Sequence, residues 1–366
     1  MVTQRGLHGW IGAGLLASTM ACSELPEVAY EREGFALAVE FEQPVCEGTL
    51  RGMEQRVAMV ERTTGIEQSS PMTIYWLAGE LERICPRPAS GCFIPGTMII
   101  AATGPSLHHE IVHAVMNTRG SVPYAEEGLA EVLSGQAVYY NPDFNDRPLR
   151  DLGQTRKDAR EGAIDYVRAA HFMHFVREQV GEDGVRDLAA AIDAGNAPRR
   201  FVDILERHFE MEAEDIERAY ARSGSFYPSV RFEEAEPITA FDLSSGVNLS
   251  LDCASKFTMG PPSAASAGMF RLRRIEGDER VRGTLAFEGE GDVGAVLFRA
   301  VDPGGRWVQD WWRPVPKLDD KRIELRPGDR VSVDLDLREG WMVLARTDDP
   351  SELLFAGLQV FRTDGG

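Results

Sequence analysis

The sequence predicts an α+β chain: a mixed helical and stranded part followed by an all-β, sandwich-like part. Three observations predict it. The first is a set of amphipathic helices with apolar residues at helical spacing, such as Leu50, Met53, Val57 and Val60 between Glu47 and Thr64. The second is their interleaving with short β-prone runs at Phe35–Phe41, Met72–Leu77 and Gly96–Ala102. The third is a change of composition after Tyr227-Pro228. There helical periodicity stops, and alternating runs separated by turns such as Asp302-Pro303-Gly304-Gly305 and Pro327-Gly328-Asp329 take over. Those runs include Phe270–Arg273, Thr284–Phe287, Ala295–Phe298, Val331–Leu337 and Trp341–Leu344.

The chain begins with a segment read as an address. Arg5 and His8 precede the apolar run Trp10–Ala17, which is too short to span a bilayer and ends in small residues, so residues 1–21 read as a signal peptide. Cys22 after Ala21 looks like a bacterial lipoprotein cleavage site, although Thr19 and Met20 depart from the usual pattern. A lipid on Cys22 is then the expected membrane contact, with the protein in the periplasm or on the outer surface, and otherwise secreted. Residues 22–34 are polar and read as a tether; the helical part is taken as 35–225 and the β part as 229–366.

Four further cysteines, Cys46, Cys85, Cys92 and Cys253, make an even count in an exported chain, which suggests two disulfides with three possible pairings. Cys85 and Cys92 bracket a turn-rich loop that a local bridge would close, leaving Cys46 with Cys253. No C-x-x-C is present, so a cysteine-based metal site is not expected. The formal charge of −19 disfavours nucleic acid, which needs a basic footprint.

The chemistry concentrates in residues 106–131. His109-Glu110-Ile111-Val112-His113 is an H-E-x-x-H. On a helix, positions four apart share a face, so both imidazoles can reach one ion, and Glu110 stands where it can act on a metal-bound water. Ser106 is the expected N-cap, with Leu107, Ile111, Ala114 and Val115 forming an apolar stripe behind the histidines. After a short loop, Pro123–Glu131 (PYAEEGLAE) supplies carboxylates.

These two motifs together resemble the gluzincin metallopeptidases, the superfamily of thermolysin and the zinc aminopeptidases. Their second motif looks like aromatic-x-x-Glu-Gly-x-Ala. The resemblance implies Zn²⁺ held by His109, His113 and Glu127, with Glu110 as general base and Glu131 holding His109 by its other ring nitrogen. It also implies an oxyanion-stabilising tyrosine at the start of the helix Ala163–Val180, here Tyr166. The strand before the zinc helix, residues 97–102, is expected to be the edge along which an extended substrate lies. There are departures. Thirteen residues separate His113 from Glu127, fewer than in the aminopeptidases; Tyr124 replaces a Trp; and no motif for gripping a substrate N-terminus is visible. The resemblance covers roughly residues 35–222.

The functional expectation is a zinc-dependent hydrolase of peptide or protein substrates. Two alternatives stand beside it: an inactive surface binding protein on the same scaffold, and a zinc amidase acting on cell-wall peptide. His171 and His174 sit three apart on the later helix but have nothing nearby to complete a metal site, so they are expected at the solvated or core edge. His108 is expected beside the site or exposed. Trp307, Trp311 and Trp312 are expected in packing, with glycan or protein binding as the other possibility.

Overall fold

The computed structural model describes residues 25–86, 89–117, 123–134, 166–193, 205–207, 209–222, 235–261, 268–299, 322–339, 341–348 and 354–362. The proposed signal peptide, Cys22, the loop 136–162 and the three clustered tryptophans lie outside them. Among the described residues the chain is mixed α and β, with several sheets.

The first sheet contains β1 (Val28–Glu31), β2 (Phe35–Val39), β3 (Met72–Trp76), β4 (Gly91–Ile94) and β5 (Ile99–Ala102), in the spatial order β1-β2-β3-β5-β4. The central pairs β2–β3 and β3–β5 are parallel, while β1 and β4 are added antiparallel at the two edges. This arrangement corrects the sequence reading twice. Residues 28–31, taken as tether, form an edge strand. The Tyr30 hydroxyl accepts the Val45 amide at 2.9 Å, and Arg32 pairs with Glu47 at 2.5 Å. Residues 97–102 are not the open edge either. Residues 95–98 form the turn and β5 lies between β3 and β4, so β4 is the edge.

Helices α1 (Glu47–Thr64), α2 (Leu107–Val115), α3 (Pro123–Ser134), α4 (Tyr166–Asp193) and α5 (Ala213–Ala221) accompany this sheet. Leu37, Ile74 and Ile100 share one cluster with Leu50 and Met53 of α1, Val112 of α2, Leu129 of α3 and Phe172 of α4. Burying a side chain of this kind contributes about 1.5–3 kcal/mol, so the apolar stripes read from the sequence position the helices. Gly65 ends α1 in the left-handed conformation at φ 69°, and its amide bonds to the Glu61 carbonyl. Gly181 breaks α4, with φ 66° and ψ −173° inside the run. Arg56 of α1 is buried; it donates to the Leu133 carbonyl and, at 3.3 Å, to Nδ1 of His108, so it links α1 to both α2 and α3.

The C-terminal part contributes α6 (Ala240–Ser245) and two further sheets. One runs β11 (Ile323–Leu325), β10 (Gly294–Arg299), β13 (Trp341–Thr347), β8 (Met269–Glu276), β6 (Glu236–Thr239). The other runs β12 (Arg330–Asp336), β9 (Arg280–Gly289), β14 (Ala356–Arg362), β7 (Val247–Asn248). Leu285, Phe287 and Val360 of the second sheet share a cluster with Leu297 and Val343 of the first. Period-two alternation along these strands puts those residues on the inward faces.

Both disulfides form: Cys85–Cys92 and Cys46–Cys253. The second belongs to a wider junction. At the start of α1, the amides of Cys46, Glu47 and Gly48 donate to the carbonyls of Gly260, Cys253 and Thr258, at 2.9, 2.9 and 3.0 Å. These are donors that a helix leaves unmatched within itself. A Cβ on Gly48 would stand 2.4 Å from the Thr258 oxygen, so glycine permits the close approach.

Candidate metal centre

Helix α2 carries His109 and His113 one turn apart on one face, and α3 brings Glu127 to the same point. His109 Nε2 and His113 Nε2 are 2.9 Å apart, and each is 3.1 Å from Oε2 of Glu127. A tetrahedral ion with bonds of about 2.0–2.1 Å separates its ligand atoms by about 3.3–3.4 Å. The triangle of two imidazole nitrogens and one carboxylate oxygen is therefore within about half an ångström of one face of such a tetrahedron. The donor set fits a divalent metal on chemical grounds as well. Two buried lone-pair nitrogens facing each other with a carboxylate beside them are jointly satisfied by one cation. Among the described residues, this is the one grouping of three His, Cys, Asp or Glu donors close enough to hold an ion.

The close packing of α3 on α4 is legible in Gly128. A Cβ there would lie 2.6 Å from the Ala169 carbonyl oxygen and 2.6 Å from Met173 Cγ. Glycine after Glu127 lets α3 lie against α4 while the preceding carboxylate turns toward the histidines. Behind the site, Glu131 lies one turn beyond Glu127, with Oε1 3.1 Å from Nδ1 of His109. The other carboxylate oxygen, Oε2, is buried without a hydrogen-bond partner. The contact acts on His109 at Nδ1 both by its proximity and by its charge.

Electrostatics follow from this crowding. Burial pulls the His109 imidazole down, but the hydrogen bond to Glu127 and the contact with Glu131 outweigh it, raising its pKa to about 10. His113 is likewise raised; burial opposes the shift and the charge of Glu127 drives it. Glu127 is held well below the carboxylate range: burial pushes it up, and His113 and His109 more than reverse this. Carboxylates outnumber imidazoles here, and the pocket favours positive charge, carried by the imidazoles or by a cation.

Glu110 is buried one residue from His109. Burial pushes its carboxyl up, countered by His113 and His109, with Glu127 adding to the rise and the Phe93 amide of β4 opposing it. A carboxyl so raised suits a base that must take up and return a proton. Tyr166 begins α4 and is 48% exposed. Its phenol is pushed up to about 12, first by burial of part of the ring and then by Glu127, Glu110 and Glu131. Those three carboxylates place it within electrostatic reach of the site, and their charge favours the protonated phenol.

Several sequence expectations are corrected. Ser106 does not cap α2: its backbone is already helical and no side-chain cap bond is made. Its hydroxyl donates instead to the Ser90 carbonyl. His171 and His174 are core residues, not edge ones. His171 Nδ1 lies 2.7 Å from the Tyr220 hydroxyl of α5. Burial, then Arg177 and His171, pulls His174 down to about 3, so it is neutral. The strand β4, with Gly91 and Phe93 against Glu110, was not foreseen. Its signal was present in Gly91-Cys92-Phe93-Ile94 running into Pro95-Gly96, a β-prone run entering a turn.

No protein-family model matches the sequence, and no curated protein sequence matches it. Among the described residues, no helix is long and apolar enough to cross a membrane.

Proposed function

We propose that the chain is an exported zinc-dependent peptide-bond hydrolase of the gluzincin kind. The observation that carries the reading is the convergence of His109, His113 and Glu127 on one point with Glu110 beside it. A purely structural zinc site is closed by four protein ligands, whereas three ligands leave a position for water. A binding scaffold has no need for a raised, buried carboxylate next to the metal.

In this reading His109, His113 and Glu127 hold Zn²⁺, which supplies Lewis acidity toward water and the scissile carbonyl. Glu131 keeps His109 turned toward the ion by its charge at Nδ1. Glu110 takes the proton from the attacking water as the new C–O bond forms. It then delivers that proton to the departing amine as the C–N bond breaks. Tyr166, neutral throughout, donates its hydroxyl hydrogen to the carbonyl oxygen as negative charge develops there. Among the described residues β4 ends the sheet, and an extended peptide can add along that edge beside Glu110. The two disulfides fit an oxidising compartment, and a lipid on Cys22 would anchor the protein to a membrane.

The test is metal content and activity on a mixed peptide library, for wild type and Glu110→Gln in parallel. One zinc in each protein with cleavage by wild type alone is expected, the variant losing about 10²–10⁴-fold. Cleavage of purified wall peptide but not of the library would favour the amidase alternative. Zinc in both with no turnover on either substrate would favour a binding role, and an active Glu110→Gln protein would exclude the mechanism.

A further inference from the structure

The carbonyl oxygen of Ser90 accepts three hydrogen bonds from the approach to α2. They come from the Thr103 amide at 2.9 Å, the Thr103 hydroxyl at 3.0 Å and the Ser106 hydroxyl. A carbonyl has two lone pairs, so this oxygen is saturated and the backbone at Ser90 is fixed against the helix that carries the candidate base. Gly91 comes next. A Cβ built on it would stand 2.8 Å from both Cγ and Oε1 of Glu110 and 2.9 Å from Oγ of Ser106. Gly91 is not among the residues with positive φ, so the backbone conformation does not require glycine here. What requires it is the Glu110 side chain, which occupies the space a larger residue would fill.

The strand is held on its other face too. Alternation turns Cys92 away from Glu110. There it is bonded to Cys85, and it packs with Leu77, Leu81 and Ala101. One residue further, Phe93 turns its amide toward the Glu110 carboxylate.

We infer that the Ser90–Gly91 backbone is a stop that sets the position of the Glu110 carboxylate, making Gly91 and Ser106 positioning residues for the base. The catalytic consequence rests on the hydrolase reading above; the geometric part does not. Glu110 is on a helix with a flexible side chain, and α2 alone does not choose its rotamer. The edge strand does, and the same strand would carry an incoming peptide. Base and substrate track would then be held in register by one short segment of backbone.

The test uses the full mature chain with zinc, as wild type, Gly91→Ala, Ser106→Ala and Gly52→Ala. A Cβ at Gly52 meets nothing within 4 Å, so this last protein controls for adding a methyl group. Crystal structures of wild type and Gly91→Ala locate the Glu110 carboxylate directly. Kinetics on a cleaved peptide separate kcat from KM, and metal analysis reads zinc content. The expected result is a displaced carboxylate in Gly91→Ala, with kcat lowered roughly 10²-fold while KM and zinc content hold. Ser106→Ala, which leaves the backbone unchanged, is expected to lower kcat about 2- to 10-fold, the effect of one hydrogen bond. Gly52→Ala is expected to match wild type. An unmoved carboxylate, an unchanged kcat in Gly91→Ala, or a loss confined to KM or zinc content would overturn the inference. Wild type that cleaves nothing would defeat the hydrolase reading alone. The carboxylate position would then decide the geometric inference by itself.

Discussion

Two histidine pairs of this chain invite comparison. His109 and His113 lie four apart on α2; His171 and His174 lie three apart on α4. All four are buried. Yet one pair meets a carboxylate from another helix at 3.1 Å, while in the other His171 meets a phenol hydroxyl at 2.7 Å. The surrounding charge has opposite sign. Glu127 and Glu131 lift His109 to about 10, whereas burial, with Arg177 and His171, lowers His174 to about 3. Burial and helical spacing are thus common to both pairs. What separates the candidate metal centre from the packed core is that another helix brings carboxylates to the first pair, whereas burial dominates at His174.

The comparison is broken most directly by paired substitutions. His113→Ala is expected to leave no zinc after gel filtration and no measurable turnover, since two donors no longer define a site. His171→Ala is expected to retain full zinc content and to lose about 1–3 kcal/mol of stability in urea unfolding, because a buried hydrogen bond to the Tyr220 hydroxyl and the packing of the ring are removed. Zinc lost from both proteins would mean that the second pair supports the first more closely than the contacts imply.

A smaller effect is expected for Glu131→Gln. It keeps the shape but removes the charge opposite Nδ1 of His109, so zinc affinity should fall about 10- to 100-fold in a chelator competition. An unchanged affinity would assign Glu131 to packing.

Burial winning at His174 and carboxylates winning over burial at His109 give opposite pH dependences in the metal-free protein. His109 has a folded pKa above its unfolded value of 6.5, so its contribution is complete below that value and fades as pH rises toward about 10. His174 has a folded pKa below its unfolded value. Its contribution is complete above about 6.5 and fades as pH falls toward about 3, because the unfolded chain then binds the additional proton. The urea midpoint of chelated wild type, measured against that of chelated His174→Phe, should fall as pH falls from 7 to 4, each group changing stability by at most about 1.4 kcal/mol per pH unit. Parallel curves over that range would remove His174 from the account.

The smallest expected change concerns Tyr166. With its phenol pushed up to about 12, kcat should show no alkaline loss through pH 9–10 that Tyr166→Phe abolishes. Such a loss would place the phenol in a different setting.

Much of this was legible without coordinates. The helix Glu47–Thr64 and its glycine stop, the helix carrying His109 and His113, and strands at Met72–Leu77, Thr284–Phe287 and Trp341–Leu344, parts of which recur in β3, β9 and β13, follow from periodicity and turn residues. These are properties of a few neighbouring residues, and a linear pattern carries them. The edge strand β4 escaped because Cys85 and Cys92 drew its residues into a presumed loop; the disulfide instead fastens the strand's outer face. Ser106 looked like a cap because cap residue types are recognised by position, whereas its hydroxyl found a carbonyl sixteen residues earlier in sequence.

The sequence by itself determined which residue types are available to the site. His109 and His113 share a helical face by the geometry of 3.6 residues per turn, Glu110 sits beside them, and Glu127 and Glu131 share a face of the next helix. The tertiary structure alone decided that the two faces meet. Gly128 lets α3 lie against α4, Arg56 links α1 to α2 and α3, and the antiparallel addition of β4 brings Gly91 against Glu110. Spacing along a chain fixes direction within one element. Distance between elements depends on the volumes packed between them, and those are known only once the core is assembled.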